Sequence, residues 1–278
     1  MMPQVADLLV IFDYSGTLSL EAPRFGRTEN LLRALAESGL ADLGVSTPEI
    51  FWGEIVAPTW TAGSTTGIGY KRVMAERIVA LGMGRGENGC AVTAATSRFV
   101  DSYLDHSGVD PGWRDILTEL ASDPAVAVVI ATDHYAEATG AIVRHLGVWE
   151  IPARKAGPET VGDNRHPFVI ANSADVGFWK ADRCFWDALC RDPLLGKIRS
   201  LLIVDDFGFN EEQGDRYAER EKVAAREEMT RNVLREAFGA TPVVIPFFLE
   251  GAERDPAGNA GPQIEETSRQ IRSFLTGD

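Results

Sequence analysis

The sequence predicts an α/β protein: a doubly wound, Rossmann-like parallel sheet with an inserted all-helical domain. Three observations lead there. Continuous apolar runs recur at 8–13, 125–131, 168–171, 201–204 and 243–248, with segments of helical spacing between them. Such alternation builds a parallel sheet with crossover helices, and strands buried on both faces are apolar throughout. No strand-like run occurs between 19 and 109. Three of the apolar runs end on polar residues, Asp13, Thr132 and Asp205-Asp206, at the carboxyl ends where open α/β sheets hold ligands. The division that follows is a core of residues 1–18 and 110–278 and a helical insert of 19–109.

The elements follow in order. Leu8–Phe12 is a buried strand stopped by Asp13 and a turn carrying Gly16 and Thr17. Residues 28–40 have helical spacing with Thr28 as a cap and Gly39 near the end. A second helix runs over 47–56, with Pro48 in its first turn. Residues 57–69, rich in Thr, Gly and Ser, read as a loop, and 70–81 and 91–105 as amphipathic helices. Beyond Pro111 come a helix to Leu120, the strand ending at Thr132, a helix over 135–146 and an irregular stretch over 152–166. A short strand at 168–172, a helix over 180–191 and the strand ending at Asp205 follow. A charged helix at 215–238, a strand at 243–248 and a helix at 263–276 close the chain.

The net charge of −14 and pI near 4.8 argue against nucleic acid and against an anionic membrane surface. A small anionic substrate stays compatible, because a bound cation reverses the local field. Cys90, Cys184 and Cys190 form no C-x-x-C pair, the pattern of reduced thiols and a cytoplasmic location. The first residues lack a basic segment and their apolar run stops at Asp13, unlike a signal peptide or a membrane span. The spacing Gly84-x-Gly86-x-x-Gly89 follows a helix rather than a strand, so it is read as a turn, not a dinucleotide site. His106, His134, His145 and His166 lack metal-ligand spacing.

The polar strand ends, with Lys180 in Asp175-Val-Gly-Phe-Trp-Lys-Ala-Asp-Arg-Cys-Phe-Trp186, stand in an order that resembles the four motifs of the haloacid dehalogenase (HAD) superfamily. Asp13-x-x-x-Thr17-Leu18 resembles the first motif. The stretch around Lys180 resembles the family's G-x-x-K-P-D-P-x-x-F, with Ala181 where Pro is usual. The resemblance implies a hydrolase of a small phosphorylated metabolite that uses Mg²⁺. It makes Asp13 the nucleophile that forms an aspartyl-phosphate. Asp13, the Ser15 carbonyl and Asp206 become metal ligands, with Asp205 and Asn210 around the metal's water shell. Gly16, Thr17, Thr132, Asp133, Lys180 and Asn210 become the phosphate-binding set, with Thr132 donating a hydrogen bond and Lys180 neutralising charge. The insert takes the place of a C1-type helical cap, with Trp60–Thr66 as its candidate specificity loop. Homo-oligomerisation is left open.

Ser15 departs from the phosphatase pattern, which has Asp there as general acid and base. A hydroxyl cannot act so near neutral pH, and positioned acid–base help is worth about 10²–10⁴-fold. Three readings therefore stand. One is a phosphohydrolase whose leaving group needs little protonation, or whose acid comes from elsewhere, with His134 a candidate against the plainer reading of a solvated loop residue. The second is a carbon–phosphorus or carbon–halogen hydrolase. The phosphonatase form needs a cap lysine, for which Lys71 is the insert's candidate, and Asp205-Asp206 counts against the metal-free dehalogenase. The third is a catalytically weak binding module.

Overall fold

Residues 6–84, 89–158, 167–196, 198–210, 220–249 and 260–277 are described by the computed structural model. Strands β1 (Leu8–Asp13), β2 (Val126–Thr132), β3 (Ala153–Lys155), β4 (Phe168–Asn172), β5 (Ser200–Asp205) and β6 (Val243–Pro246) form one sheet in the order β3-β4-β2-β1-β5-β6. Each adjacent pair is parallel. The continuous apolar runs are explained by what covers them. Leu9, Ile11, Val129, Ala131 and Ile203 face α9 (Arg183–Leu189) and α10 (Arg220–Phe238) through Phe185, Trp186 and Leu234. Val10, Phe12, Val128, Ile130 and Val204 face α6 (Arg114–Ser122), α7 (Glu137–Gly147) and α11 (Gly261–Thr276). Neither face of the central strands meets water, as a doubly wound sheet requires.

Between β1 and β2 the chain is helical: α1 (Glu21–Phe25), α2 (Thr28–Ser38), a π-helical segment (Ile50–Val56) running into α3 (Ala57–Ser64), then α4 (Tyr70–Ala80) and α5 (Gly89–His106). These helices share an apolar cluster of their own, with Leu35, Phe51, Ile55, Met74 and Phe99 buried in it, and Tyr135, Ala138 and Ala141 of the core join it. The chain leaves and rejoins the core at adjacent points. The Asp110 N–H donates to the Leu18 carbonyl at 2.8 Å, and the Tyr14 hydroxyl donates to the Ser107 carbonyl.

The structure corrects several sequence expectations. Of residues 57–69 only 65–69 are irregular, since helix continues to Ser64. Pro58 fits a first turn, and the hydroxyls of Thr59 and Ser64 bond carbonyls one turn back rather than breaking the helix. The stretch 152–158 contributes the edge strand β3, too short to show a period. The helix expected from 180 begins at Arg183, because the Asp182 carboxylate accepts the Cys184 N–H at 2.8 Å and fixes the N-terminus there. A single turn, α8 (Ser173–Val176), precedes it. Residues 85–88 of the glycine turn, 159–166 of the irregular stretch, with His166, and 211–219 of the charged run lie outside the described residues. No helix among those described is long and apolar enough to cross a membrane.

Candidate active site

The strand order places the site before any side chain is considered. β1 continues to β2 on one side, and β5 continues to β6 on the other. The gap between the carboxyl ends of β1 and β5 is thus the switch point of the sheet, where α/β folds leave a crevice. Asp13 closes β1, and Asp205 closes β5 with Asp206 next. One oxygen from each of the three carboxylates lies within 4.8 Å of the others, and all three residues are buried.

Lys180 meets this cluster from the loop between α8 and α9. Its Nζ pairs with Asp13 and lies 3.2 Å from Asp205 Oδ2. Its backbone is held at both ends. The Lys180 N–H donates to Asp133 Oδ1 at 2.9 Å, and its carbonyl accepts the Trp186 indole N–H at 2.7 Å. A lysine so restrained is no longer a solvated side chain, and the entropy of ordering it is already lost in the fold.

The acidic side of the crevice is fixed by backbone donors. Asp206 Oδ2 accepts the Asn210 N–H at 2.8 Å and Oδ1 the Gly208 N–H at 3.2 Å. Asp205 Oδ1 accepts the Phe207 N–H at 2.6 Å. Gly16 has a φ of +79°, and a Cβ there would lie 2.5 Å from Asp206 Oδ2. Only glycine takes that conformation freely and lets the turn pass so close to the carboxylate.

Electrostatics follow from this crowding. Burial raises the Asp13 pKa first, Lys180 opposes that, and Asp205 and Asp206 add to it, so the carboxyl is held well above its ordinary range. Burial, then Asp205, pushes Asp206 up to about 7. Burial would strip the Lys180 proton, but Asp13, Asp205 and Asp133 override it and hold the ammonium above its ordinary value. Three carboxylates face one ammonium. If all ionise, the cluster carries two negative charges in excess, and the neighbouring carboxylates add to the burial that chiefly raises the proton affinities of Asp13 and Asp206. An all-oxygen set short of two positive charges fits a hard divalent ion.

The sequence-predicted residues do not all point where expected. Asp13, Asp205, Asp206 and Lys180 converge. Ser15 is half-buried beside them. Thr132, 2% exposed, ends β2 one residue beyond the partner of Asp13 in register. Thr17 instead turns inward: its Oγ1 accepts the Asp206 N–H at 3.1 Å. Asn210 is a clamp between loops rather than part of an open shell. Its Nδ2 donates to the Gly16 and Phe247 carbonyls at 2.7 and 2.8 Å, and its Oδ1 accepts the Leu249 N–H at 2.8 Å. Asp133 supports Lys180 from behind.

His134 is not a solvated loop residue. It is 7% exposed, with Nδ1 accepting the Tyr135 N–H at 2.8 Å and Nε2 2.7 Å from the Tyr103 hydroxyl of α5. Burial lowers its pKa to about 4, so it is neutral at physiological pH. Lys71 is ion-paired to Asp101 at 2.5 Å within the helical layer.

Sequence reasoning missed two residues that tie the helical insert to the core beside this site. Trp179, next to Lys180, donates its indole N–H to Ser64 of α3 at 2.9 Å. Glu137 accepts the Tyr70 and Lys71 N–H groups at 2.7 and 3.1 Å and so caps α4 from another element. The exposed Phe-Trp pair before a motif lysine was a signal for the first; nothing local signals the second.

No family model and no curated protein sequence matches the chain. A solved structure, that of a predicted HAD-like family hydrolase from Porphyromonas gingivalis, aligns with 94% of this chain and 97% of its own at 13% identity and a TM-score of 0.43.

Proposed function

We propose that the chain is a HAD-superfamily hydrolase that removes phosphate from a small phosphorylated metabolite, using Mg²⁺ and a covalent intermediate on Asp13. The observation that carries this reading is the meeting of Asp13, Lys180 and Asp205-Asp206, from three distant parts of the chain, at the sheet's switch point. The carboxylates of Asp13 and Asp206 and the Ser15 carbonyl would hold the ion, with Asp205 bridging to Lys180. The ion supplies positive charge against the phosphoryl oxygens, which is most of what phosphoryl transfer needs.

The chain's own residues do the rest. Asp13 attacks phosphorus, which divides one difficult displacement into two easier ones. Lys180, freed from Asp13 as the phosphate arrives, neutralises the charge that builds on it. Thr132 donates a hydrogen bond to a phosphoryl oxygen. Helices α1–α5 act as the cap that excludes water and selects substrate. The free cysteines are in keeping with a cytoplasmic setting. The carbon–phosphorus alternative would draw its amine from Lys71, which pairs with Asp101 in the helical layer.

The test is phosphate release from a panel of phosphate esters and phosphonates, with and without Mg²⁺, for wild type and Asp13→Asn. Mg²⁺-dependent release that disappears in the variant is expected. Release that survives in the variant overturns the role of Asp13.

A further inference from the structure

We infer that Trp179 and Ser64 are a positioning pair: through their hydrogen bond, the last turn of α3 in the helical insert sets where the core presents the Lys180 ammonium. The inference rests on the role proposed above for Lys180 and adds the two residues through which the insert governs it.

Lys180 stands in a turn held from three directions. Helix α8 is closed by Gly177, whose φ of +90° redirects the chain, and Phe178, Trp179 and Lys180 cross from there towards α9. The Trp179 carbonyl accepts the Asp182 N–H at 2.8 Å, which closes the turn. Lys180 itself is tied to the core on both sides, its N–H to Asp133 and its carbonyl to Trp186. The third direction is the insert. The Trp179 indole N–H reaches Ser64 Oγ at 2.9 Å, a bond between residues 115 apart in the chain.

That bond is directional at both ends. An indole N–H only donates, whereas a hydroxyl has one proton to give and two lone pairs to accept with. Ser64 gives its proton to the Trp60 carbonyl one turn back, at 2.7 Å, which leaves the lone pairs for Trp179. Ser64 is completely buried, at 0% exposure. Its neighbour Gly63 lies against the Tyr135 ring, three residues past Thr132. Two consecutive residues of α3 thus touch two core segments, one carrying Lys180 and the other following Thr132. In the reaction proposed above, the Lys180 side chain exchanges Asp13 for phosphate. That exchange needs a backbone that stays in place while the ammonium moves, and small displacements of such a group cost rate steeply.

Trp179→Phe, which keeps a ring but removes the N–H, and Ser64→Ala, which removes the acceptor, test this in the full chain by two measurements. The first does not depend on turnover. Trace labelling with acetic anhydride, read by mass spectrometry of the peptides, reports the reactivity of each lysine amine. Lys180, paired with Asp13 and Asp205, should label slowly in wild type. Each variant should raise its rate about 2- to 10-fold, the effect of one net hydrogen bond. Lys71 in the insert and Lys155 in the edge strand should keep their wild-type rates; a rise at all three marks general loosening and overturns the inference. The second measurement is p-nitrophenol release from p-nitrophenyl phosphate with Mg²⁺. Each variant should lower kcat about 2- to 10-fold and leave KM in place, the split expected when an interaction made in the transition state is weakened. The double variant should match the single ones rather than multiply their effects, because the two side chains share one bond. Unchanged Lys180 labelling, or unchanged kcat, in both variants overturns the inference and leaves the Asp13 reading standing. Labelling as expected in a protein whose wild type turns over no phosphate ester overturns the phosphatase reading and leaves the tether to Lys180 standing.

Discussion

The crevice at the ends of β1 and β5 and the seam between the insert and the core lie side by side and are built on opposite electrostatic terms. In the crevice, backbone donors hold Asp205 and Asp206 beside Asp13 although their charges repel. In the seam, Tyr135 stacks on Tyr70 with ring centroids 3.9 Å apart, Glu137 caps α4, and His134 sits neutral against Tyr103. The crevice gathers like charges whose repulsion a bound cation would relieve; the seam is held by stacking and hydrogen bonds. Fixed strain of the first kind, supported by satisfied packing of the second, is the arrangement expected of a preorganised site.

The two regions also respond to pH with opposite signs. Asp206 has a folded pKa of about 7, above the ordinary value of 3.8. Below pH 3.8 it is protonated whether folded or not, and its penalty grows as pH rises from about 4 to 7. His134 has a folded pKa of about 4, below the ordinary 6.5, so its penalty grows as pH falls from about 6.5 to 4. The largest expected effect lies here. In metal-free protein, the stability of wild type relative to Asp206→Asn should fall by on the order of 1–4 kcal/mol between pH 4 and pH 8. Mg²⁺ should restore it in wild type alone. Thermal unfolding over that pH range checks both; parallel curves would show that the crevice is not strained. His134→Gln should flatten only the acidic limb.

The crevice was the more legible of the two in the sequence. Asp13 and Asp205 stop unmistakable apolar runs, and a polar residue at a strand's end needs no tertiary information to be noticed. The seam depends on contacts between distant residues. Helix α3 looked like a loop because Thr, Gly and Ser favour turns in isolation. What lets it pack on the core is Gly63 against Tyr135, where a Cβ would come within 2.2 Å of the ring. Glu137 capping α4 spans 67 residues, beyond any local pattern. The family resemblance assigned Asn210 to phosphate and the water shell; its amide ties Gly16 to Phe247, a contact across 37 and 194 residues that no local pattern signals.

Smaller effects sharpen the contrast. Gly63→Ala should cost about 1–3 kcal/mol through overpacking against Tyr135, and the loss should be the same with and without Mg²⁺. A loss that Mg²⁺ reverses would mean that seam and crevice are one unit. Glu137→Ala should cost about 1 kcal/mol, the ordinary value of a helix cap, again independent of the ion. Its denaturation midpoint, compared with wild type at matched Mg²⁺, measures this. An unchanged midpoint would remove Glu137 from the account of how the helical insert is held.

The most direct measurement is acid quenching of the protein during turnover of p-nitrophenyl phosphate with Mg²⁺, followed by mass spectrometry of its peptides. A hydroxylamine-labile phosphoryl group on the peptide containing Asp13, missing in Asp13→Asn, is the result predicted here. Steady turnover with no such adduct, or with the adduct on another residue, would contradict it.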